Sequence, residues 1–264
     1  MPGRKSNGFS LIELSLVLVI LTALLAGGIA LTIALIDRAA YETTKERMDA
    51  IQKALHDYVL AFGVLPCPAD ITAAPDSAAY GVGTGTSASC TPSCSAANFT
   101  SGETVAGMVP VKTLRLMDKY AVDGWGSRIL YAVDRRLTTG GGLAQYEDYP
   151  AIGSITVRDD AGGDRTTHAV YVLASHGSNK HGGFPITGGS LRRPSGSTNA
   201  DELENCDCDA TGTSTAFNAT FVQRFPVSDP AQTSDRFDDI VRYGNYGDFG
   251  ADRYGTVACA CPLP

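Results

Sequence analysis

The 264-residue sequence predicts an α+β fold, in which one long N-terminal helix packs on an antiparallel β-sheet head with long loops. Three observations lead to this prediction. An uncharged apolar run extends from Leu14 to Ile36. Residues 37–63 continue it with apolar side chains at steps of three, four and seven. Residues 64–264 are rich in glycine, serine and aspartate and contain only short apolar runs, which are typical of strands.

The run from Leu14 to Ile36 is long enough to cross a membrane as a helix. At 1.5 Å per residue it covers about 34 Å, against about 30 Å for a hydrocarbon core. Arg4 and Lys5 precede the run, and such positive charges favour a cytoplasmic N-terminus. The sequence therefore predicts a single-pass protein of the bacterial inner membrane with a periplasmic head.

One acidic side chain, Glu13, lies near the start of this run. A carboxylate in an apolar helix is costly and indicates a function by default. Glu13 could be solvated at the headgroup level, near the positive end of the helix dipole. Alternatively it meets a cation: if the chain is cut after Gly8, the new α-amine of Phe9 in a neighbouring chain could pair with Glu13 and fix the axial register of a bundle.

The segment Gly8-Phe9-Ser10-Leu11-Ile12-Glu13, followed by the long apolar run, resembles the cleavage and methylation motif of type IV pilins and type II secretion pseudopilins. The resemblance implies that a prepilin peptidase cuts after Gly8 and methylates the amine of Phe9. It also implies that Glu13 guides assembly into a filament. Many pilins have a proline midway along the helix, where this chain has Gly27-Gly28.

The implied pilin-like fold divides the chain into four parts. Residues 1–8 are the leader peptide, and residues 9–36 are the transmembrane and filament-core helix. Residues 37–63 are the amphipathic continuation of that helix, ending at Gly63 before Pro66. Residues 64–264 are the extracytoplasmic globular head.

The implied function is that of a non-catalytic subunit of a type IV pilus-like filament or a type II secretion pseudopilus. The size of the head and its insertions favour a minor subunit. The implied partners are the prepilin peptidase and methylase, other pilin or pseudopilin subunits, the inner-membrane assembly platform and membrane lipid. The alternative is a membrane-anchored periplasmic enzyme, or a ligand-binding or adhesin module, that uses the pilin-like start as an anchor. The formal net charge of −7 provides no electrostatic attraction to nucleic acid.

Four short apolar runs in the head predict strands, at 127–133, 154–157, 169–174 and 239–243. A short helix is predicted within 109–120, with Pro110 near its first turn. These elements are expected to build the sheet that covers the helix stripe, which comprises Tyr41, Met48, Ile51, Leu55, Tyr58 or Val59, and Phe62.

The head resembles major pseudopilins less sharply, at Leu65-Pro66-Cys67-Pro68, Asp123-Gly124-Trp125-Gly126 and Asp239-Ile240-Val241. The loop 175–183 stands where those proteins have a calcium loop, but Asn179, Lys180 and His181 replace much of its acidity. Calcium prefers oxygen ligands that include carboxylates. The resemblance thus implies a candidate calcium site formed by Asn179, Asp238, Asp239 and loop carbonyls.

All seven cysteines lie in the head, and an exported domain is expected to form disulfides. Cys90 and Cys94 are close in sequence and are expected to bridge. Cys206 and Cys208 are expected to cross-pair with Cys259 and Cys261, because neighbours in a C-x-C pair rarely bridge each other. This assignment leaves Cys67 unpaired. A zinc site of four thiolates is the competing interpretation of the two C-x-C pairs.

The histidines of the head raise a hydrolase hypothesis, through Ser175-His176, His168 and His181. However, no G-x-S-x-G elbow surrounds a serine, and no H-E-x-x-H motif is present. The sequence therefore predicts no catalytic residue.

Overall fold

The computed structural model describes residues 10–83, 94, 97–139, 143, 151–227 and 236–249, without the side chains of residues 23–33. Gly8, Phe9, Cys90, Cys259 and Cys261 lie outside the described residues. The chain divides into two compact units, Met1–Ala40 and Tyr41–Pro264.

Helix α1 comprises Leu11–Phe62. It ends at Gly63, which has a positive φ of 69° and donates its amide to the carbonyl of Val59 at 2.7 Å. Pro66 follows and cannot continue a helix. The helix therefore stops where the glycine and the proline predict that it should.

The prediction of a membrane-spanning first half is wrong. Among the helices in the described part of the chain, none is both long enough and apolar enough to cross a membrane. The predicted inner-membrane location is corrected with it.

Seven strands form one sheet. They are β1 (Phe99–Ser101), β2 (Thr104–Met108), β3 (Leu130–Asp134), β4 (Ile155–Arg158), β5 (Asp164–Ser175), β6 (Thr220–Val222) and β7 (Ile240–Asn245). The strand order is β1-β2-β3-β5-β4-β6, and β7 pairs with β5 outside this path. The pairs are antiparallel except β4 with β6, which is parallel, with Val157 opposite Phe221.

The predicted pilin-like fold with an antiparallel head is therefore wrong: the sheet is mixed and curls into a half-barrel. The cause is a long connection. After β5 the chain passes through helix α2, Ala200–Cys206, before it reaches β6. A connection of this length allows β6 to lie parallel to β4, whereas a short hairpin would force an antiparallel pair.

The core of the second unit combines one stripe of α1 with the sheet. Met48, Ile51, Leu55 and Val59 are completely buried. Their spacing of three and four residues places them on one face of the helix. Phe62, at the end of the predicted stripe, is 44% exposed.

The four predicted strands of the head overlap β3, β4, β5 and β7, whereas β1, β2 and β6 escaped prediction. The helix predicted within 109–120 is wrong, because this segment consists mainly of turns followed by a 3-10 helix at Asp118–Ala121. Arg115 has a positive φ of 56°, which an α-helix excludes.

Two disulfides lie in the described part of the chain, and neither pairing was predicted. Cys67 bonds to Cys94, with their Cα atoms 5.3 Å apart. The predictions that Cys67 is unpaired and that Cys94 pairs with Cys90 are therefore wrong. Ala69 pairs with Met108 of β2, which brings the segment after α1 close to the chain that enters β1.

The second disulfide joins Cys206 to Cys208, so the predicted cross-pairing of these two residues is also wrong. Asp207 between them is the C-cap of α2 and has a left-handed backbone, with φ 44° and ψ 54°. This turn reverses the chain and leaves the two cysteine Cα atoms 5.2 Å apart. In extended backbone the side chains at i and i+2 would point the same way without such a turn.

A buried arginine fastens two loops of the head. Arg128 is completely buried, and its Nη1 donates to the carbonyl of Ile71 at 2.8 Å. Its Nη2 donates to the carbonyls of Ala73 at 2.6 Å and Ile186 at 3.1 Å. The guanidinium also lies 5.1 Å from the ring centroid of Tyr80.

Replacing Arg128 by methionine is expected to lower the free energy of unfolding by about 3 kcal/mol, because three carbonyls, two of them on buried residues, lose their donor. Urea denaturation followed by circular dichroism measures the change. Arg158→Met is the matched control, since Arg158 is exposed and its removal should cost no more than about 0.5 kcal/mol. A loss at Arg128 as small as that of the control would contradict the anchoring role.

Candidate metal centre and N-terminal assembly segment

The short helix α2 positions a buried carboxylate, that of Glu202, inside the head. Asn199 caps α2 by accepting hydrogen bonds from the amides of Asp201 at 2.9 Å and Glu202 at 3.2 Å. The cap places Glu202 in the first turn, where its side chain is completely buried. Asn179, in the loop after β5, donates its side-chain amide to both carboxylate oxygens of Glu202, at 3.0 and 2.8 Å.

Two further carboxylates reach the same place from the residues directly before β7. The Asp238 amide donates to Oε1 of Glu202 at 3.1 Å, and Asp238 Oδ2 accepts from the amide of Asn179 at 2.9 Å. Asp239 Oδ2 accepts from the side-chain amide of Asn205 at 3.0 Å. Both aspartates are buried, at 7% and 2% exposure.

These three side chains, which we call the acidic centre (Glu202, Asp238 and Asp239), each contribute one oxygen to a group whose atoms lie within 4.8 Å of one another. Arg236 offsets part of the charge, with Nη2 at 3.2 Å from Oδ2 of Asp238. Oδ1 of Asp238 and Oδ1 of Asp239 are buried and have no hydrogen-bond partner among the described residues. Such oxygens are costly, so the arrangement calls for a proton or a cation.

The electrostatics of the acidic centre disfavour three free charges. Burial raises the pKa of Glu202, and the charge of Asp238 raises it further. Burial also raises the pKa of Asp239 well above its ordinary value, and Glu202 and Asp238 add to this effect. A proton would relieve one of the two unpaired oxygens, whereas a cation held among the three carboxylates would neutralise them together.

The donor set fits Ca²⁺. Calcium takes hard oxygen ligands at about 2.3–2.6 Å, so two oxygens on one ion lie at most roughly 5 Å apart. The group of 4.8 Å meets this limit. The amide oxygen of Asn179 already accepts from the amide of His181 at 2.7 Å. Asn179 therefore orients Glu202, and the structure adds Glu202 to the predicted Asp238 and Asp239.

The sequence did not point to Glu202, because no helix was predicted near residue 200. A local signal was present: Asn199 followed by Asp201 and Glu202 is the pattern of an N-cap with acidic residues in the first turn. That pattern could have located α2. It could not have shown that α2 faces the start of β7.

The hydrolase residues do not form a catalytic arrangement among the described residues. The Ser175 hydroxyl donates to Oδ2 of Asp123 at 2.7 Å, so its partner is a carboxylate and not a histidine. Burial lowers the pKa of His176 to about 3, and the imidazole is neutral at neutral pH. Its Nδ1 lies 4.0 Å from Oδ1 of Asp239, which is beyond hydrogen-bond distance. His168 is exposed on β5.

His181 lies beside the second disulfide. Its ring and the sulfurs of Cys206 and Cys208 present atoms within 4.8 Å of one another. Nδ1 accepts from the amide of Ser195 at 3.1 Å, which leaves Nε2 to donate to the carbonyl of Asp209 at 3.1 Å. Both ring nitrogens are thus engaged. Zinc binds thiolates, which a disulfide does not provide.

The N-terminal segment begins with a capping box. The Ile12 amide donates to the Ser10 hydroxyl at 3.3 Å, and the Ser10 amide donates to Oε2 of Glu13 at 2.9 Å. This reciprocal pattern satisfies two donors at the helix start. Glu13 therefore has a local structural role that the sequence interpretation did not include. Its predicted role in assembly stays a prediction.

Beyond the capping box, α1 exposes apolar side chains in every direction. Leu11 and Ile12 are 88% and 77% exposed, and the apolar residues from Leu14 to Leu21 are all about half exposed or more. Leu35 and Ile36 are similarly exposed. A helix that is apolar all round is stable only when something covers it.

Comparisons of the chain with protein-family models, with curated proteins and with solved structures find no match. A functional proposal therefore depends on the two sites described above, the apolar N-terminal segment and the acidic centre.

Proposed function

We propose that this chain is a non-catalytic subunit of a pilin-like filament, processed after Gly8 and assembled through the first part of α1. The observation that carries the proposal is the exposure of apolar side chains around residues 11–21. Copies of the same helix, packed side by side, would cover these side chains and remove them from water. The resemblance of residues 8–13 to the pilin cleavage motif supports the same reading.

Within such a bundle, Glu13 would be the one acidic group of residues 9–36, and a buried carboxylate needs a cation. The Phe9 amine exposed by cleavage is a cation that every neighbouring copy carries. Pairing of Glu13 with this amine would set the stagger between adjacent subunits. The head would then lie on the outside of the filament.

Cleavage after Gly8 is tested by the mass of the protein purified from its native host. The wild-type chain is expected to begin at Phe9 and to carry one additional methyl group. Gly8→Val is expected to retain Met1 or its immediate successor, because a branched side chain replaces the hydrogen beside the scissile bond. A wild-type chain that keeps its first eight residues would refute the processing step.

A second function has its own observation, the two unpaired buried oxygens of the acidic centre. We propose that Glu202, Asp238 and Asp239 hold Ca²⁺. The ion would neutralise carboxylates that repel one another, and would tie α2 to the start of β7. This role is structural. Metal binding stabilises the folded head by the difference between the free energy of binding to the folded chain and that of binding to the unfolded chain.

A further inference from the structure

The head carries a cleft of about 340 Å³ beside the acidic centre, with which it shares Asp239. Its walls come from α1 on one side and from the end of β6 and the start of β7 on the other. Four cationic side chains line it: Lys45, Arg165, Arg224 and Arg242. Asp239 is the acidic residue of its lining, and that carboxylate is almost fully buried. On a chain with a formal net charge of −7, this concentration of positive charge is a local exception.

Two cations of the cleft have acidic partners that a ligand could replace at little cost, whereas Arg224 is held by Asp201 and by the ring of Phe237. Lys45 lies 3.4 Å from Glu42, and the Arg242 guanidinium lies 3.8 Å from Asp49, whose side chain is 63% exposed. Ion pairs with such exposed acidic partners contribute little stability. The Nε of Arg242 is buried and has no hydrogen-bond partner among the described residues.

The gap between β6 and β7 is bridged by side chains. Gln223 Nε2 donates to the carbonyl of Val241 at 2.9 Å, and the Asn205 side chain bonds both the amide and the carbonyl of Val222. These side chains already satisfy the backbone groups that they bond, so a ligand in the groove between the two strands would be held by side chains. A groove between strand edges suits an extended chain better than a globular surface.

The rim of the cleft is aromatic and exposed. Phe225 is 87% exposed, and Tyr41 contributes from the helix side. Aromatic residues and arginine are the residue types enriched at protein interfaces, where a few of them dominate the binding energy. The guanidinium fork matches carboxylate geometry in particular.

We infer that this cleft binds an extended acidic peptide segment of a partner protein, with carboxylates on Arg165 and Arg242 and an apolar side chain against Phe225. The inference does not use the first part of α1. It shares Asp239 with the acidic centre, but its proposed contacts are with Arg165, Arg242 and Phe225, none of which is a proposed calcium ligand.

The test is fluorescence anisotropy with the full-length chain and a labelled peptide of eight residues in which glutamate and valine alternate. In an extended strand this alternation places all the carboxylates on one side. Saturable binding is expected, weakening at least fivefold when salt rises from about 50 mM to about 200 mM. The double variant Arg165→Gln/Arg242→Gln should weaken binding at least tenfold. The control is Arg115→Gln/Lys119→Gln, which removes the same charge from exposed residues outside the cleft and should leave binding within twofold.

Three results would overturn the inference. The first is equal binding of a peptide in which glutamine replaces glutamate. The second is an equal loss in the two double variants, which would indicate a non-specific charge effect. The third is displacement of the peptide by citrate or inorganic phosphate at equal concentration, which would identify a small-anion site. Circular dichroism of each variant checks that the head is folded. If the double variant is unfolded, the single variant Arg165→Gln replaces it, because Arg165 is exposed.

Discussion

Replacing Glu202 by glutamine is expected to abolish the rise in melting temperature that Ca²⁺ produces in the wild-type protein. At a free calcium concentration of 100 times the dissociation constant, binding to the folded state alone stabilises it by about 2.7 kcal/mol. For a chain of this size, that corresponds to a rise of roughly 5–10 °C. Differential scanning calorimetry in Ca²⁺ and in a chelator measures the difference.

The stability of Glu202→Gln in chelator, compared with that of the wild type, distinguishes a calcium ligand from a glutamate that only supports the fold. Burial and repulsion raise the pKa of Glu202, so its charge opposes folding when no cation is present. A folded-state pKa that is raised means that stability falls as the pH rises through that pKa. At pH 7.5 in chelator, Glu202→Gln should therefore be as stable as the wild type or more so, although it loses one hydrogen bond to Asn179. A purely structural glutamate would show the opposite.

The control for this substitution is Glu46→Gln, which removes an exposed carboxylate of α1. It should keep the full calcium effect. If Ca²⁺ changes the melting temperature neither of the wild type nor of the two carboxylate variants, the acidic centre binds no calcium. The unpaired oxygens of Asp238 and Asp239 would then be satisfied by protonation.

Replacing Glu13 by glutamine is expected to abolish incorporation of the chain into filaments while the head remains folded. Glutamine is accepted at this position of a capping box, so the bond from the Ser10 amide can persist while the charge is lost. An amine of a neighbouring subunit would then lose its counter-charge inside the bundle, which costs about 3–5 kcal/mol. Immunoblotting of sheared filaments against whole cells measures incorporation.

Ser10→Ala is the matched control, because it removes the cap and keeps the charge. The lost cap costs about 1 kcal/mol of helix stability. Incorporation should therefore fall only slightly. If Ser10→Ala and Glu13→Gln reduce incorporation equally, Glu13 acts through the helix cap. If Glu13→Gln assembles like the wild type, the register role is refuted.

Features that depend on residues close together in the sequence could be predicted from the sequence alone. The stop of α1 follows from Gly63 and Pro66. The burial of Met48, Ile51, Leu55 and Val59 follows a helical period. Asp238, Asp239 and Asn179 were grouped by resemblance and lie together in the head. Each of these results needs only short-range geometry or a motif.

Several of the wrong predictions concern distant contacts. Cys67 meets Cys94 because Ala69 pairs with β2, and a sequence does not show which strand receives that segment. The parallel pairing of β6 depends on the path of the chain through α2. The membrane crossing was inferred from composition over the apolar run alone, and the described helices do not support it.

The sequence by itself determined the end of the long helix, the face of that helix which enters the core, and four of the strands. These features are encoded in periodicity, glycine and proline chemistry, and contiguous motifs. Only the tertiary structure decided that Glu202 joins Asp238 and Asp239, that Cys206 bonds to its near neighbour, and that four cations surround one cleft. The acidic centre and the cleft depend on which segments the folded chain brings together across long stretches of sequence. The Cys206–Cys208 bond depends on the left-handed turn at Asp207, which the residue type does not dictate.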